Sequence, residues 1–340
     1  MTSEAPPFWW EPADWRAFLL SPFSSIYAAI AANRIKNAPR EKIAVPVLCV
    51  GNFTVGGSGK TPVAIALADK AKAKGLRPGF LSRGYGGSFD KPQLVDAGQD
   101  SARHVGDEPL LLARHAPVAV ARDRAAAARL LIDKGCDFLV MDDGFQSARI
   151  HFDYGLIVID ALRGAGNGHV IPGGPLRARV TDQLPFTDAL LVVGTGDGGD
   201  NMVRVAARAG KAVFHAGTRP ARGHGLRGKR LFAFAGIGHP QKFYDTLTAL
   251  GGMVEKTQAF PDHHFYGDDD LADLRQSADA AGLELVTTTK DAARLAHGST
   301  AAAAFCRNLN VLEIGMAFEP DTVPAAIIDA TVAAARQRLL

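Results

Sequence analysis

From position 43 onward the chain alternates between short, nearly uninterrupted apolar runs and longer segments whose apolar residues recur at helical spacing. The runs at 43–50, 79–82, 118–121, 138–141, 156–160, 190–193 and 212–214 read as strands, and the segments 62–74 and 125–134 as helices. A strand that lacks apolar–polar alternation is buried on both faces, and strand–helix alternation of this kind builds a mostly parallel sheet covered by helices. Residues 216–230 interrupt the pattern with glycine, arginine, histidine and proline, and read as a hinge. A second α/β set follows, with strands expected at 231–235, 254–260, 283–287 and 310–314 and helices at 241–250, 269–281 and 323–340. The pattern therefore predicts an N-terminal helical segment over 1–40, a larger α/β domain over 41–215, a hinge over 216–230 and a smaller α/β domain over 231–340. Two lobes joined by a hinge suit an enzyme that closes around its substrate.

The first forty residues follow a different logic. Trp9, Trp10 and Trp15 all fall here, and between Arg16 and Arg40 the charges are exclusively basic. Ser21-Pro22 has the character of a helix start, with serine as the cap and proline at the first helical position. Beyond it Phe23, Ile26, Tyr27 and Ile30 recur at i, i+3, i+4, i+7 and share one stripe. Aromatic rings, an apolar stripe and positive charge fit a helix lying in the headgroup layer of an anionic membrane. The alternative is a helix packed on the protein body with the indoles covering its seam. Acidic Glu4, Glu11 and Asp14 come first and no clear A-x-A cleavage site follows, which fits a cleaved signal peptide poorly.

Composition excludes several classes. With 47% hydrophobic and 21% charged residues the chain has the balance of a globular protein rather than a disordered one. The net charge of +3 is too small to argue for a nucleic-acid partner. Cys49, Cys136 and Cys306 are scattered and odd in number, so neither a disulfide framework nor a structural zinc site is expected and a reducing cytosol is. No uninterrupted apolar run is long enough to span a bilayer.

The chemistry is concentrated in a few short segments. Thr54-Val55-Gly56-Gly57-Ser58-Gly59-Lys60-Thr61 follows the first strand and precedes a helix, the context of a phosphate-binding loop. Glycines let the backbone amides converge on phosphate oxygens, Lys60 would meet the β/γ-phosphates, and the Thr61 hydroxyl would reach Mg²⁺. A strict P-loop has glycine where this chain has Thr54. Such a site needs an acid at the end of a neighbouring strand, and Asp142 and Asp143 follow an apolar run. The expected fold is thus a P-loop NTPase-like α/β/α main domain with a second, smaller α/β/α domain and an N-terminal interfacial helix. Thr289-Lys290-Asp291 lacks the spacer of a GTPase base-recognition motif, and Val55 stands where dimerising membrane-surface ATPases carry lysine.

Three further segments carry candidate groups. Asp107 and Glu108 open a helical run after Gly106, where the acids cap the helix or, in the functional reading, Asp107 supplies a general base for a substrate hydroxyl. His263 and His264 are adjacent and cannot share one face of a strand, which disfavours a zinc pair and leaves one histidine structural. Arg177 ends the rigid turn Pro172-Gly173-Gly174-Pro175-Leu176-Arg177, and Arg83 stands where a strand ends before a glycine-rich stretch, both placements suited to a polyanion.

Taken together, GNFTVGGSGKTP, SRGYGG, VGDEPLLLA, DDGFQ, PGGPLR, GIGHPQKF, FPDHHFY and TTTKDAARL, in this order from residue 51 to 295, resemble the tetraacyldisaccharide 4′-kinase family of lipid A biosynthesis. The resemblance covers nearly the whole chain. It implies ATP- and Mg²⁺-dependent phosphorylation of the 4′-hydroxyl of a tetraacylated glucosamine disaccharide 1-phosphate, giving lipid IVA at the cytosolic face of the inner membrane. It also implies two α/β/α lobes joined by a two-stranded hinge. By this resemblance Asp107 is the base, His263 its orienting partner, Lys60 and Thr61 the P-loop pair, and Asp142 and Asp143 the magnesium-site acids. Arg83, Tyr85, Arg122, Arg124, Gln146 and Arg177 are the candidate contacts to the sugar and its 1-phosphate. The chain departs from the family at Ser147-Ala148, at Ala178, at His239 and at the residue before Lys290. Two other readings remain open from the residues alone: a P-loop ATPase that acts on a protein partner, and a soluble small-molecule kinase.

Overall fold

The computed structural model describes residues 5–84, 91–147, 149–220, 225–296 and 299–340. Its strands are β1 (Val47–Gly51), β2 (Pro78–Ser82), β3 (Gln93–Leu94), β4 (Val118–Val120), β5 (Phe138–Asp142), β6 (Tyr154–Asp160), β7 (Ala189–Val193), β8 (Ala212–Pro220), β9 (Arg230–Ala235), β10 (Met253–Ala259), β11 (Glu284–Thr288), β12 (Asn310–Leu312) and β13 (Ile314–Glu319). Among the described residues nine strands form one sheet in the order β13-β8-β7-β6-β1-β5-β2-β4-β3, and four form another in the order β10-β9-β11-β12. The large sheet is parallel except at its edges, where β3 and β13 run antiparallel to their neighbours. β1 lies between β5 and β6, so the loop that leaves it opens where the strand order reverses, the position at which open α/β sheets bind ligands.

Alternation along β1 sends its side chains to two cores. Leu48 and Val50 pack with Val63, Ala64, Leu67, Ala68 and Ala71, one face of the helix Lys60–Ala73. Val47 and Cys49 meet Ala127, Ala128 and Leu131 of the helix Arg124–Asp133 on the opposite side. The result is three α/β/α layers. Leu67 is fully buried in the first of these cores. Leu67→Ala is expected to destabilise the fold by about 2–5 kcal/mol, read from a shift in the denaturant midpoint. In the small sheet Phe232 and Phe234 face the helices Asp268–Ala281 and Thr300–Cys306, while Leu231 and Ala233 face the helix Pro240–Ala249.

Three sequence expectations are corrected. The residues from 216 to 220 are not open linker: β8 extends to Pro220 and pairs antiparallel with β13, with Gly217 opposite Ala317. Its residues are mostly half-buried or exposed, so no apolar run marks it. The expected strand at 310–314 divides, with β12 in the small sheet and β13 in the large one. The helix Val323–Leu339 likewise returns to the large lobe, where Ile327 and Ile328 join the core beneath β1. The small lobe therefore ends near Leu312 rather than at the C-terminus. The chain crosses between lobes outward after β8 and back at β13, and the two crossings are hydrogen-bonded together.

At the N-terminus the helices Trp15–Leu19 and Ser21–Asn37 follow one another. Asp14 caps the first by accepting the Arg16 amide at 2.9 Å. Ser21 is not a cap, a further correction: Leu20 occupies that position and Ser21 is already helical. Small residues turn inward, including Ser24 and Ala28, and Ser24 Oγ accepts the Gly173 amide at 3.0 Å. Phe23, Ile26 and Ile30 point away from the body with 62%, 61% and 66% of their surface exposed, continuous in sequence with exposed Trp15, Phe18 and Leu19. Trp9 behaves differently. It is buried, and its indole N–H donates to the Pro172 carbonyl at 3.0 Å. Among the described residues no helix is long and apolar enough to cross a membrane.

Candidate active site

The loop after β1 takes the shape its glycines allow. Gly56 and Gly59 have φ of 93° and 85°, a region that side chains disfavour, and Gly59 leads directly into the helix Lys60–Ala73. The PGGPLR turn braces the loop from outside: the Val55 amide donates to Pro175 O and the Arg177 amide to Phe53 O, both at 2.9 Å. Thr54 sits in an antiparallel bridge with Leu176 and has no positive φ, so this position does not require the glycine of the strict pattern. Within the loop the buried Ser58 hydroxyl has no hydrogen-bond partner. A helix N-terminus behind a glycine loop with an unpartnered hydroxyl is the arrangement that receives phosphate.

β5 ends beside this loop because Val50 pairs with Asp142 in parallel register. The Thr61 hydroxyl donates to Asp142 Oδ2 at 3.1 Å, while Asp142 Oδ1 is buried without a hydrogen-bond partner. Burial, reinforced by the Glu108 carboxylate, pushes the Asp142 pKa up. Asp143 takes a φ of 51° that swings its carboxylate toward Lys60 Nζ at 3.6 Å and Arg177 at 3.1 Å. Burial opposes ionisation of Asp143, but those two cations outweigh it and bring its pKa down to about 2. Hard oxygens, one an orphaned buried carboxylate lone pair, fit Mg²⁺, which keeps waters and takes few protein ligands beside the phosphates of its nucleotide. Among the described residues no group of three or more His, Cys, Asp or Glu side chains offers an alternative metal site.

Across the cleft stands Asp107, the first residue of the helix Asp107–Ala113, nearly buried after Gly106. Its Oδ1 accepts the Glu108 amide at 2.9 Å. Oδ2 lies 3.3 Å from His263 Nδ1 and 3.6 Å from Arg294 Nε. Burial alone would raise the Asp107 pKa, yet His263, Lys290 and Arg294 hold it well below the usual carboxylate range. Its carboxylate in turn raises the His263 pKa against the effect of burial. His263 has a φ of 60°, maintained by its amide donating to Gly236 O at 3.2 Å. The adjacent His264 serves the scaffold, with Nε2 2.9 Å from Asp270 and its ring stacked on Phe260 at 4.7 Å.

A cavity of about 2140 Å³ between the lobes is lined by Lys60, Thr61, Asp107, Asp142, His263 and Lys290. Arg83 and Arg122 also line it, both exposed. Arg124 is buried deeper, with NH1 unpartnered and its pKa lowered to about 10 by burial. Arg177 is more constrained than the turn alone suggests. It lines the cavity with its guanidinium already engaged by Asp143 and by Thr54 O at 3.0 Å. Gln146 also lines the cavity, but its amide nitrogen donates to Asn52 O at 2.7 Å and to Gln183 at 2.9 Å. Tyr85 lies outside the described residues.

The sequence gives Glu108 only a place at a helix start and Lys290 no site role, although Lys290 Nζ meets Glu108 Oε1 at 2.6 Å from the opposite lobe. A second cross-lobe pair joins Lys242 to Asp160 at 2.5 Å. TTTKDAARL was the available signal, without a contact to interpret it. His239 accepts the Lys242 amide at 3.3 Å through Nδ1 and so caps the helix Pro240–Ala249.

The model of the tetraacyldisaccharide-1-P 4′-kinase family matches residues 16–332. A tetraacyldisaccharide 4′-kinase of Mesorhizobium japonicum is 62% identical over 341 residues, covering 100% of this chain and 99% of the relative. One from Sinorhizobium fredii is 54% identical over 340 residues, covering 100% and 98%. The crystal structure of LpxK from Aquifex aeolicus in complex with ATP matches with a TM-score of 0.70 at 26% identity, across 93% of this chain and 99% of that one. A family match that spans both lobes, together with full-length relatives at this identity, establishes that the chain belongs to the tetraacyldisaccharide 4′-kinase family.

Proposed function

We propose that this kinase transfers the γ-phosphoryl group of ATP to the 4′-hydroxyl of a tetraacylated glucosamine disaccharide 1-phosphate, forming lipid IVA at the cytosolic face of the inner membrane. One observation carries the reading. The buried Asp107 carboxylate, 3.3 Å from His263 Nδ1, faces across one cavity the P-loop lysine and the Thr61–Asp142 pair.

In this mechanism the loop amides and Lys60 hold the triphosphate, and Asp107 accepts the proton of the 4′-hydroxyl as its oxygen bonds to the γ-phosphorus. The bond from that phosphorus to the β,γ-bridging oxygen breaks, and ADP leaves. Lys60 meets the charge developing on the transferred group. Thr61 and Asp142, with Asp143 beside them, are the residues to hold Mg²⁺, which when bound neutralises phosphate charge. His263 orients the base from the small lobe, so closure completes the site and excludes water. Arg83, Arg122 and Arg124 are the guanidinium groups available for the 1-phosphate.

The amphiphilic acceptor accounts for the N-terminal helices. Their outward stripe of Phe23, Ile26 and Ile30 has Arg34 and Lys36 on the same helix, a composition that inserts into an anionic interface. A soluble small-molecule kinase would have no use for this surface. Phe23→Ser/Ile26→Ser/Ile30→Ser is expected to abolish sedimentation with phosphatidylglycerol vesicles while leaving ATP binding intact; unchanged sedimentation would remove the interfacial reading. The function itself is tested with γ-labelled ATP offered the glycolipid, a soluble sugar phosphate, or no acceptor. Label is expected on the glycolipid alone, and release as inorganic phosphate regardless of acceptor would instead indicate an ATPase.

A further inference from the structure

The helix Thr289–Leu295 belongs to the small lobe, yet its arginine, Arg294, reaches the base of the large lobe. The Arg294 side chain is only 1% exposed. Its NH2 donates to Gly236 O at 2.9 Å and pairs with Asp291 Oδ1 at 3.0 Å. NH1 donates to His264 O and Nε to Lys290 O, both at 3.3 Å. The same Nε lies 3.6 Å from Asp107 Oδ2. Gly236 O also accepts the His263 amide, so one guanidinium grips the loop that holds His263 in its strained conformation.

Asp291 completes the arrangement. Fully buried, it accepts the Gly236 amide at 3.0 Å, the Tyr266 hydroxyl at 2.6 Å and the Thr288 hydroxyl at 2.6 Å. Arg294 is thus a single cation between a buried structural carboxylate and the carboxylate proposed as base. It does not line the cavity, so any effect on chemistry must pass through its neighbours.

We infer that Arg294 is a positioning residue: it fixes the His263 loop and the Asp107 carboxylate relative to one another, and so makes the base competent only when the lobes are closed. The groups that face Asp107 are His263 from the loop after β10, Lys290 and Arg294 from the helix Thr289–Leu295, and Glu108 beside it. Of these, Arg294 alone grips the His263 loop and faces the base at once. A planar fork with several fixed donors can do this, whereas a lysine ammonium cannot reach all the partners together. The inference rests on the reading of Asp107 as general base.

The test is a double-mutant cycle in the full-length protein. Arg294→Lys keeps a cation beside Asp291 but loses the fork. It is expected to lower kcat about 10- to 100-fold, with KM for ATP and for the glycolipid unchanged within about twofold. In an Asp107→Asn background the same change is expected to have little further effect, because the group it positions is already gone. Should Arg294→Lys fail to fold, the neutral pair Arg294→Gln/Asp291→Asn removes both buried charges and enters the same cycle. A loss that appears in KM, or a full loss that persists in Asp107→Asn, would overturn the positioning role. A parent rate unaffected by Asp107→Asn would instead overturn the assignment of the base.

Discussion

Replacing Lys60 by alanine is expected to lower phosphoryl transfer by about 10²–10³-fold while leaving the fold intact. Lys60 Nζ projects from the first residue of its helix into the cleft and its side chain is only 10% exposed, so solvent screens its charge poorly. Its partner is Asp143 at 3.6 Å, a separation long enough to be surrendered when a triphosphate enters. The transferred group carries charge on its equatorial oxygens throughout the reaction, and a positioned cation acts on that charge without reorganising. Circular dichroism of the variant should match that of the parent, and the loss should appear in kcat for the glycolipid. Parental turnover in a correctly folded Lys60→Ala protein would refute the assignment of the phosphate loop.

The second large effect is expected at the base. Asp107→Asn preserves shape and should lower kcat by about 10²–10⁴-fold, with the KM for ATP little altered. Its signature is in the pH profile. Because His263, Lys290 and Arg294 outweigh burial and depress the Asp107 pKa, the carboxylate remains ionised through the neutral range. The acid limb that Asp107 imposes on kcat should therefore lie below pH ~4, the usual range for aspartate. The same linkage acts on stability. A depressed Asp107 contributes stability that is present above its unfolded pKa and lost as pH falls through the folded one. The raised His263 contributes stability that is present below its unfolded pKa and lost as pH rises through its folded value. Both describe one ion pair between the lobes, so closure is favoured between the two limits.

Local features were legible in the sequence, and features that depend on a distant partner were not. The phosphate loop is a run of consecutive residues whose strand–loop–helix context can be read directly, and the apolar run before Asp142 places that acid at a strand end without further information. Asp107 and His263 could be named from short motifs, although their approach to 3.3 Å depends on how the lobes close. β8 is not legible beyond Phe214 because the half-exposed stretch His215-Ala216-Gly217-Thr218-Arg219-Pro220 carries no apolar run. The lobe of the C-terminal helix is not legible, because its apolar face is the same whichever sheet receives it; the pairing of β13 with β8 returns it to the large lobe. Arg177 illustrates the limit for side chains. A guanidinium on a rigid turn reads alike whether it awaits a phosphate or is already bound to Asp143. Lys290 and Glu108 are 182 residues apart, and nothing local to either announces the other.

The most direct measurement is a crystal structure of the enzyme with a non-hydrolysable ATP analogue and the glycolipid acceptor. The γ-phosphate is expected to lie against Lys60, with the acceptor's 4′-oxygen in line behind it and within hydrogen-bonding distance of Asp107 Oδ2. A nucleotide bound outside the loop at Gly56–Thr61, or an acceptor hydroxyl met by some base other than Asp107, would contradict the account.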